Sequence, residues 1–387
     1  MLQLPDGRPA RAAWLLSDDL LHLNHGSFGA APASTLVRQD ALRAEMNAAP
    51  VRWFAGLPAR VAAARVQVAD CLGVPHDRLA LVPNASAGAT AVLNAVDIPA
   101  GSDILVTDHG YGAVTMAAER RAPVRRVHVP LGAGPDEAAA AVIDGLTAHT
   151  ALVVIDHVTA PTARYLPVAA ISAAARERGI PVLVDGAHVP GLLDRPLDGL
   201  DCDYWIGNLH KYACAPPGAA VLIARDGARL HPVIDSWGTP EPFPARFDVQ
   251  GTLDVTAQLT APHAWAEIER RWGWQRVREY TGDLAAEGAA LVAAAFTAIT
   301  GEDHTVPVGM PAGPMRLVRL PGTLGAAAGA PDALRARVLA ELNAECAFGT
   351  FDGQGYLRLS AHAYNTRSDY ETFAARCVPT LTTWSKT

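Results

Sequence analysis

From residue 79 onward the chain alternates short unbroken apolar runs with longer stretches in which apolar residues recur every three or four positions. The runs at 79–82, 104–107, 126–129, 151–155, 182–184, 204–206 and 219–223 read as strands, and alanine-rich helical stretches near 86–96, 112–121, 136–147 and 168–178 separate most of them. Strands that are apolar on both faces and alternate with helices predict an α/β fold, with a mostly parallel seven-stranded sheet covered on both sides. Ligands in such folds sit beyond the carboxyl ends of the strands, which makes the polar residues directly after each strand the candidates for chemistry. Helices are also predicted over 34–48 and 57–72, and a strand at 21–23 runs into a small-residue loop. A Pro-, Gly- and Thr-rich texture at 236–256 marks a junction. Beyond it lie a long helical region, 257–299, and an α+β tail with strands at 315–320 and 356–360. The expected division is an N-terminal arm (1–20), a large domain (21–250) and a small C-terminal α+β domain (251–387).

Composition narrows the function classes. A net charge of -7 without a clustered basic patch excludes a nucleic-acid surface, and no run approaches the roughly 20 apolar residues of a membrane-spanning helix. The segment Met1-Leu2-Gln3-Leu4-Pro5-Asp6 has no signal-peptide pattern, and Cys71, Cys202, Cys214, Cys346 and Cys377 lack any C-x-x-C spacing. Reduced thiols in a cytoplasmic protein are therefore expected. The 13 histidines show no H-E-x-x-H spacing, so no metal site is expected. Gly110-Tyr111-Gly112 stops short of the G-x-G-x-x-G of a nicotinamide dehydrogenase. Most unusual is the use of arginine in place of lysine: the two lysines are Lys211 and the penultimate Lys386.

Lys211 follows a predicted strand in Tyr204-Trp205-Ile206-Gly207-Asn208-Leu209-His210-Lys211. A solubilising surface lysine fits poorly in a chain that uses arginine for that purpose. A buried amine that forms an imine with the carbonyl of pyridoxal 5'-phosphate (PLP) fits well. Val182-Leu183-Val184-Asp185 ends an apolar strand in a carboxylate, which either caps the next turn or meets a cation such as a protonated pyridine nitrogen. Asn84-Ala85-Ser86-Ala87-Gly88 opens a helix, either as a plain N-cap or as a phosphate cradle of backbone amides and the Ser86 hydroxyl. His109 and Tyr111 offer two flat rings at another strand end. One of them could stack on the cofactor and the tyrosine could relay a proton; the bland reading of each is a surface loop residue.

These motifs together resemble the aminotransferase class V group of fold-type I PLP enzymes (the aspartate aminotransferase-like fold), and within it the isopenicillin-N-epimerase-like branch. The resemblance runs through Leu23-Asn24-His25-Gly26-Ser27-Phe28-Gly29, Asp108-His109-Gly110-Tyr111-Gly112-Ala113, Asp156-His157-Val158-Thr159, Asp185-Gly186-Ala187-His188, Gly207-Asn208-Leu209-His210-Lys211, Gly251-Thr252, Arg358-Leu359-Ser360 and Tyr364-Asn365-Thr366. It implies Lys211 as the Schiff-base lysine, Asp185 at the pyridine nitrogen and His188 near the phenolic oxygen. Ala85, Ser86, Asn208 and His210 would hold the phosphate, with Gly251 and Thr252 arriving from the second subunit of a homodimer with shared active sites. His109 is the implied stacking ring and Tyr111 its rival, with a catalytic role in this branch. Arg358 would clamp the substrate α-carboxylate, supported by Asn24, His25 and Gly26; the bland reading is an exposed strand arginine.

Two departures bear on the reaction. Cys346 lacks the loop context of a desulfurase nucleophile and reads as a packed thiol at the start of a strand. Ala160 stands where desulfurases place an asparagine against the ring oxygen, leaving Thr159 or His188 to serve. The expectation is a PLP enzyme acting at Cα of an amino acid, most directly a cysteine-derived S-conjugate in natural-product metabolism, by β-elimination (a C-S lyase) or decarboxylation. Epimerisation is the alternative, then cysteine desulfuration; a non-catalytic PLP-fold protein is the rival from another class.

Overall fold

The structure, a computed structural model, describes residues 1–327 and 329–386. The chain divides into two compact units, one made of Ala30–Val158 and Leu166–Glu269, the other of Met1–Gly29, Thr159–Tyr165 and Arg270–Thr387.

The first unit is built on a seven-stranded sheet in the spatial order Leu79–Val82, Ala220–Ala224, Tyr204–Asn208, Val182–Asp185, Thr150–Asp156, Asp103–Thr107, Val124–Val127. Ala220–Ala224 runs antiparallel to both neighbours and every other pairing is parallel. Leu79–Val82, Val182–Asp185 and Ala220–Ala224 are buried at every position, which is why they read as plain apolar runs. The sheet and the helix Ala85–Ala95 share a core that includes Val82, Ala89, Val92, Val106, Leu183, Ile206 and Leu222. The edge strand lies at Val124–Val127, two residues before the predicted 126–129. Its charged side chains are partnered outward, Arg125 to Asp103 and Arg126 to Glu119, and this blurs the apolar signal.

The second unit carries a three-stranded antiparallel sheet, Ala347–Phe351, Gln354–Ser360 and Met315–Arg319, packed on the long helix Trp274–Thr300. That helix is long and apolar enough by composition to cross a membrane. Its buried stripe, Leu284, Ala285, Val292 and Phe296, instead enters a core with Val318, Leu357, Leu359, Tyr370 and Phe373. The predicted helical region 257–299 is made of two helices, Thr256–Trp272 and Trp274–Thr300, with Gly273 at φ +76 between them.

The domain limits differ from the expected ones. Residues 1–29 group with the C-terminal segment because Leu21–His22 pairs with Ala344–Glu345 and the Ser360 amide donates to Leu23 O. The boundary falls at Glu269/Arg270 and not within the expected junction at 236–256, where Arg246 bonds to the carbonyls of Ala228, Leu230 and Glu241, and Gln250 to those of Leu81 and Phe247. Inside the sheet, Trp205 is completely buried and lies against Gly186, where a Cβ would come within 2.2 Å of its ring. Gly186→Ala is expected to destabilise the fold by about 1–3 kcal/mol, the usual range for overpacking, read as a lower denaturant midpoint in the cofactor-free protein. An unchanged midpoint would mean that Trp205 yields freely.

Candidate functional site

Several ends of the seven-stranded sheet bring one set of side chains together. After Tyr204–Asn208 the chain turns to Lys211, which is 8% exposed and whose Nζ lies 3.0 Å from His188 Nε2. The turn is fixed by the Cys214 amide on Lys211 O and by the Leu209 amide on Ala219 O. Asp185 ends the adjacent parallel strand and is 3% exposed. Its Oδ1 accepts the Ala187 amide at 2.9 Å, whereas Oδ2 is buried without a hydrogen-bond partner among the described residues. Burial holds this carboxyl above the usual carboxylate range, opposed by the Ala187 amide and the charge of Lys211. An enclosed acceptor without a donor costs about 1–3 kcal/mol. A cationic N–H placed there removes that penalty, so the environment of Asp185 fits a protonated pyridine ring.

The helix Ala85–Ala95 begins directly after Leu79–Val82. Asn84 Oδ1 caps the Ala87 amide at 2.8 Å. The Ala85 amide donates to Asn208 Oδ1 at 2.9 Å. Ala85 and Asn208, two of the residues expected at the phosphate, therefore bond to each other, and the pair ties the lysine strand to the helix start. The amide and hydroxyl of Ser86 have no protein partner among the described residues and sit at the positive end of the helix dipole. His210 Nδ1 is likewise buried and unpartnered, with its ring pushed down to about 4 by burial and by the charge of Lys211. These three groups fit a phosphate.

The two candidate rings are separated by their surroundings. His109 is fully enclosed, its Nε2 2.6 Å from Val129 O, whereas Tyr111 is 44% exposed at the start of the helix Gly112–Glu119. Gly251, at φ +83, is half-buried, and Thr252 is exposed. The Thr159 hydroxyl bonds to Thr162 Oγ1 at 2.8 Å and accepts the Arg164 amide at 3.0 Å, closing its own loop.

In the other unit, Arg358 lies on Gln354–Ser360 and is 6% exposed, not the surface residue of the bland reading. Its Nη2 donates to Asn24 Oδ1 at 3.2 Å and Ser27 Oγ at 3.0 Å, and Nη1 donates to Ala160 O. Neutral oxygens thus fix its orientation. The predicted loop after Leu23 is a helical turn, His25–Phe28, in which the Gly26 amide donates to Ser360 Oγ at 3.3 Å. His25 stacks on His362 with ring centroids 3.9 Å apart and lies 3.1 Å from Tyr364 Oη. Asn24 contacts Arg358 directly; His25 and Gly26 build the platform beneath.

One acid was undervalued in the sequence. Asp156 ends Thr150–Asp156 in register with Asp185 and is 5% exposed. The same signal that marked Asp185, a carboxylate closing an apolar strand, was present there.

A buried lysine, a carboxylate with an unmet oxygen and a helix-start phosphate cradle at the carboxyl ends of a mostly parallel sheet define a PLP-dependent enzyme of fold type I. The chain belongs to the aminotransferase class-V family, which matches residues 44–239. It is 31% identical over 402 residues to isopenicillin N epimerase of Amycolatopsis lactamdurans, covering 94% of this chain and 96% of that one. Isopenicillin N epimerase of Streptomyces clavuligerus is 29% identical, covering 96% and 98%, and a putative L-cysteine desulfhydrase of Oryza sativa subsp. japonica is 30% identical, covering 90% and 82%. Among solved structures, a C-DES mutant with glycine covalently linked to its PLP cofactor has the same fold: TM-score 0.80, 19% identity, 96% of this chain and 99% of that one.

Two outcomes test the cofactor geometry. Lys211→Ala is expected to abolish borohydride trapping of PLP on the protein, and residual labelling would move the imine elsewhere. Because the Asp185 pKa is raised on folding, this group's stabilising contribution is present below the ordinary carboxyl range and is lost as pH rises through the folded value. The cofactor-free Asp185→Asn protein should therefore be more stable than wild type at neutral pH, while its PLP affinity falls about 10–100-fold, the range for a charge-assisted hydrogen bond. Thermal melts with and without PLP read both effects.

Proposed function

We propose that this enzyme cleaves the Cβ–S bond of a cysteine-derived amino acid, releasing a thiol. The observation that carries the reading is the combination of a buried amine base, Lys211 beside His188, with a half-exposed tyrosine, Tyr111, at the carboxyl ends of two strands of the same sheet that have two further strands between them. When bound, PLP supplies a carbonyl for the substrate amine and a ring that withdraws electrons from Cα. Lys211 takes the Cα proton, and Asp185 keeps the ring nitrogen protonated. The Cβ–S bond breaks with its electron pair leaving on sulfur, and the Tyr111 hydroxyl protonates that sulfur. With one water the balance is a thiol, pyruvate and ammonia. Arg358 holds the α-carboxylate, for which a guanidinium is suited by its two parallel donors. Cys346 is buried at 1% exposure, and burial pushes its thiol well above the usual value, which argues against a persulfide-forming nucleophile. The desulfhydrase relatives agree with elimination. The two epimerase relatives favour a second reading, in which a proton returned to the opposite face of Cα inverts the centre.

Incubation with S-substituted L-cysteines in deuterium oxide separates the readings. Equal yields of thiol and pyruvate are expected; Cα deuteration with inversion and no thiol would replace elimination by epimerisation. Arg358→Ala should raise KM by about 10–100-fold for substrates with an α-carboxylate, and an unchanged KM removes the residue from binding.

The enzyme is further proposed to act as a homodimer in which Gly251 and Thr252 face the partner's cofactor. Ile234 packs beside Gly251, and Val233, Ile234 and Trp237 are exposed, Trp237 at 94%. Trp237→Asp is expected to shift sedimentation toward monomer and to weaken PLP binding. A dimer that persists unchanged with full cofactor affinity would free this surface of that role.

A further inference from the structure

The short strand Leu21–His22 is held by side chains as well as backbone. In its parallel pairing with Ala344–Glu345, His22 and Glu345 are register partners, so their side chains leave the same face. His22 Nδ1 lies 2.8 Å from Glu345 Oε2, and on the opposite edge of the ring Nε2 lies 3.0 Å from Ser17 O. The ring is buried and Glu345 is half-exposed. A neutral imidazole carries one N–H, whereas a backbone carbonyl and a carboxylate only accept. Both contacts are therefore hydrogen bonds at once when both nitrogens are protonated and the ring is a cation. A proton shared between an imidazole and a carboxyl partly in water belongs to the imidazole, the stronger base.

What the ring fastens leads to Arg358. His22 O accepts Asn365 Nδ2 at 2.7 Å, the Leu23 amide donates to Glu345 O at 2.8 Å, and the Ser360 amide donates to Leu23 O at 2.8 Å. The segment is thus stitched between Ala344–Glu345 and the strand Gln354–Ser360 that carries Arg358. The next residue, Asn24, accepts from Arg358 Nη2. The other charged groups at this recess are Arg11, Asp18 and Asp19 on the N-terminal segment, and Asp369 and Arg376 on the helix Arg367–Arg376. Arg11 pairs with Asp18 and donates to Ser17 O, Asp369 caps its own helix, and Arg376 donates to Asn343 O. Glu345 is the carboxylate that meets the ring.

We propose that His22 is a positively charged positioning residue for the Arg358 clamp: its imidazolium, held between Glu345 and Ser17, docks residues 21–24 so that Asn24 meets Arg358, and the hold weakens when the ring gives up its proton. Burial and the charge of Arg11 oppose the cation; the bonds to Glu345 and Ser17 outweigh them, and the ring is raised above its ordinary value. A group raised on folding stabilises fully below its unfolded value and loses that contribution as pH rises through the folded one. Docking of the segment is therefore firm in mild acid and loosens in base.

The link to substrate rests on Arg358 holding the α-carboxylate, whereas the charge of the ring and the docking of the segment do not, so the test reads them separately in the PLP-loaded enzyme. Nitrogen-15 NMR of labelled histidine, assigned through His22→Gln, should show both ring nitrogens of His22 protonated near neutral pH; one protonated nitrogen would overturn the cation. Protection of the Leu21 and Leu23 amides, corrected for the intrinsic pH dependence of exchange, should fall about tenfold from about pH 6 to about pH 9, the loss of one charge-assisted hydrogen bond. Glu345→Gln offers Nδ1 a donor and lets a neutral ring bond on both sides, so its protection should stay within about threefold over the same range. No fall in wild type, or an equal fall in Glu345→Gln, would overturn the docking role. For an S-substituted L-cysteine, the KM of wild type relative to Glu345→Gln should rise about threefold or more over that range, with kcat changing less. A constant KM ratio while protection falls would overturn the positioning of Asn24. An unchanged KM in Arg358→Ala would instead remove the clamp and leave the charge and docking of His22 standing.

Discussion

An ionisable group at the end of a fully buried strand has no water to stabilise its charge, and this constraint organises the catalytic half of the molecule. The central strands of the sheet are apolar almost to their last residues, so Asp156, Asp185 and Lys211 emerge into a region where each charge depends on its neighbours. Asp185 has one oxygen satisfied and one left open. In an ordinary core such an oxygen is a defect; at the carboxyl end of a parallel sheet it suits a cationic ring. The helix start at Ser86 follows the same logic with opposite sign, since unpartnered donors at a helix N-terminus favour an anion. Ring and phosphate are thus met by complementary shortages of protein hydrogen bonds.

The scarcity of lysine strengthens that design. An aldehyde cofactor reacts with any accessible unprotonated amine, whereas a guanidinium stays protonated and forms no stable imine. With Lys386 as the other lysine, Lys211 has few rivals within the chain. Its burial beside His188 keeps it close to an imidazole that can exchange a proton with it.

Much of this was legible in the sequence because it depends on strand ends. An apolar run followed by Asp185, or by Asn208-Leu209-His210-Lys211, marks both the strand and the polar group it delivers, and the strand positions follow the apolar runs closely except at the edge, where Arg125 and Arg126 break the pattern. What was not legible depends on where side chains point after the strand ends. His109 and Tyr111 are equivalent in one dimension; in three, one ring is sealed against Val129 and the other faces outward. The Thr159 hydroxyl closes its own loop, a local bond that no periodicity announces. The texture at 236–256 resembles a linker because prolines and glycines are common to linkers and to tightly pinned loops, and the carbonyls bonded to Arg246 decide between them. Residues 21–29, expected in the large domain, group with the C-terminal segment, and the two-residue strand pairing at 344–345 that holds them is too short to leave a pattern.

The shifts around the site share a direction that bears on how the protein acquires its cofactor. Burial raises the carboxyls of Asp156 and Asp185 and lowers His157 and His210 to about 4, so each of these four groups is pushed toward its neutral form. Bringing a charge into this region therefore calls for a partner of opposite sign, and the phosphate and protonated ring of PLP are partners of that kind. Binding energy from the cofactor is tied directly to setting the protonation state in which the chemistry runs. This coupling explains why groups that would destabilise a sheet end by themselves are retained together. Each is unfavourable alone, and the set becomes favourable when one ligand carries the complementary charges to all of them at once.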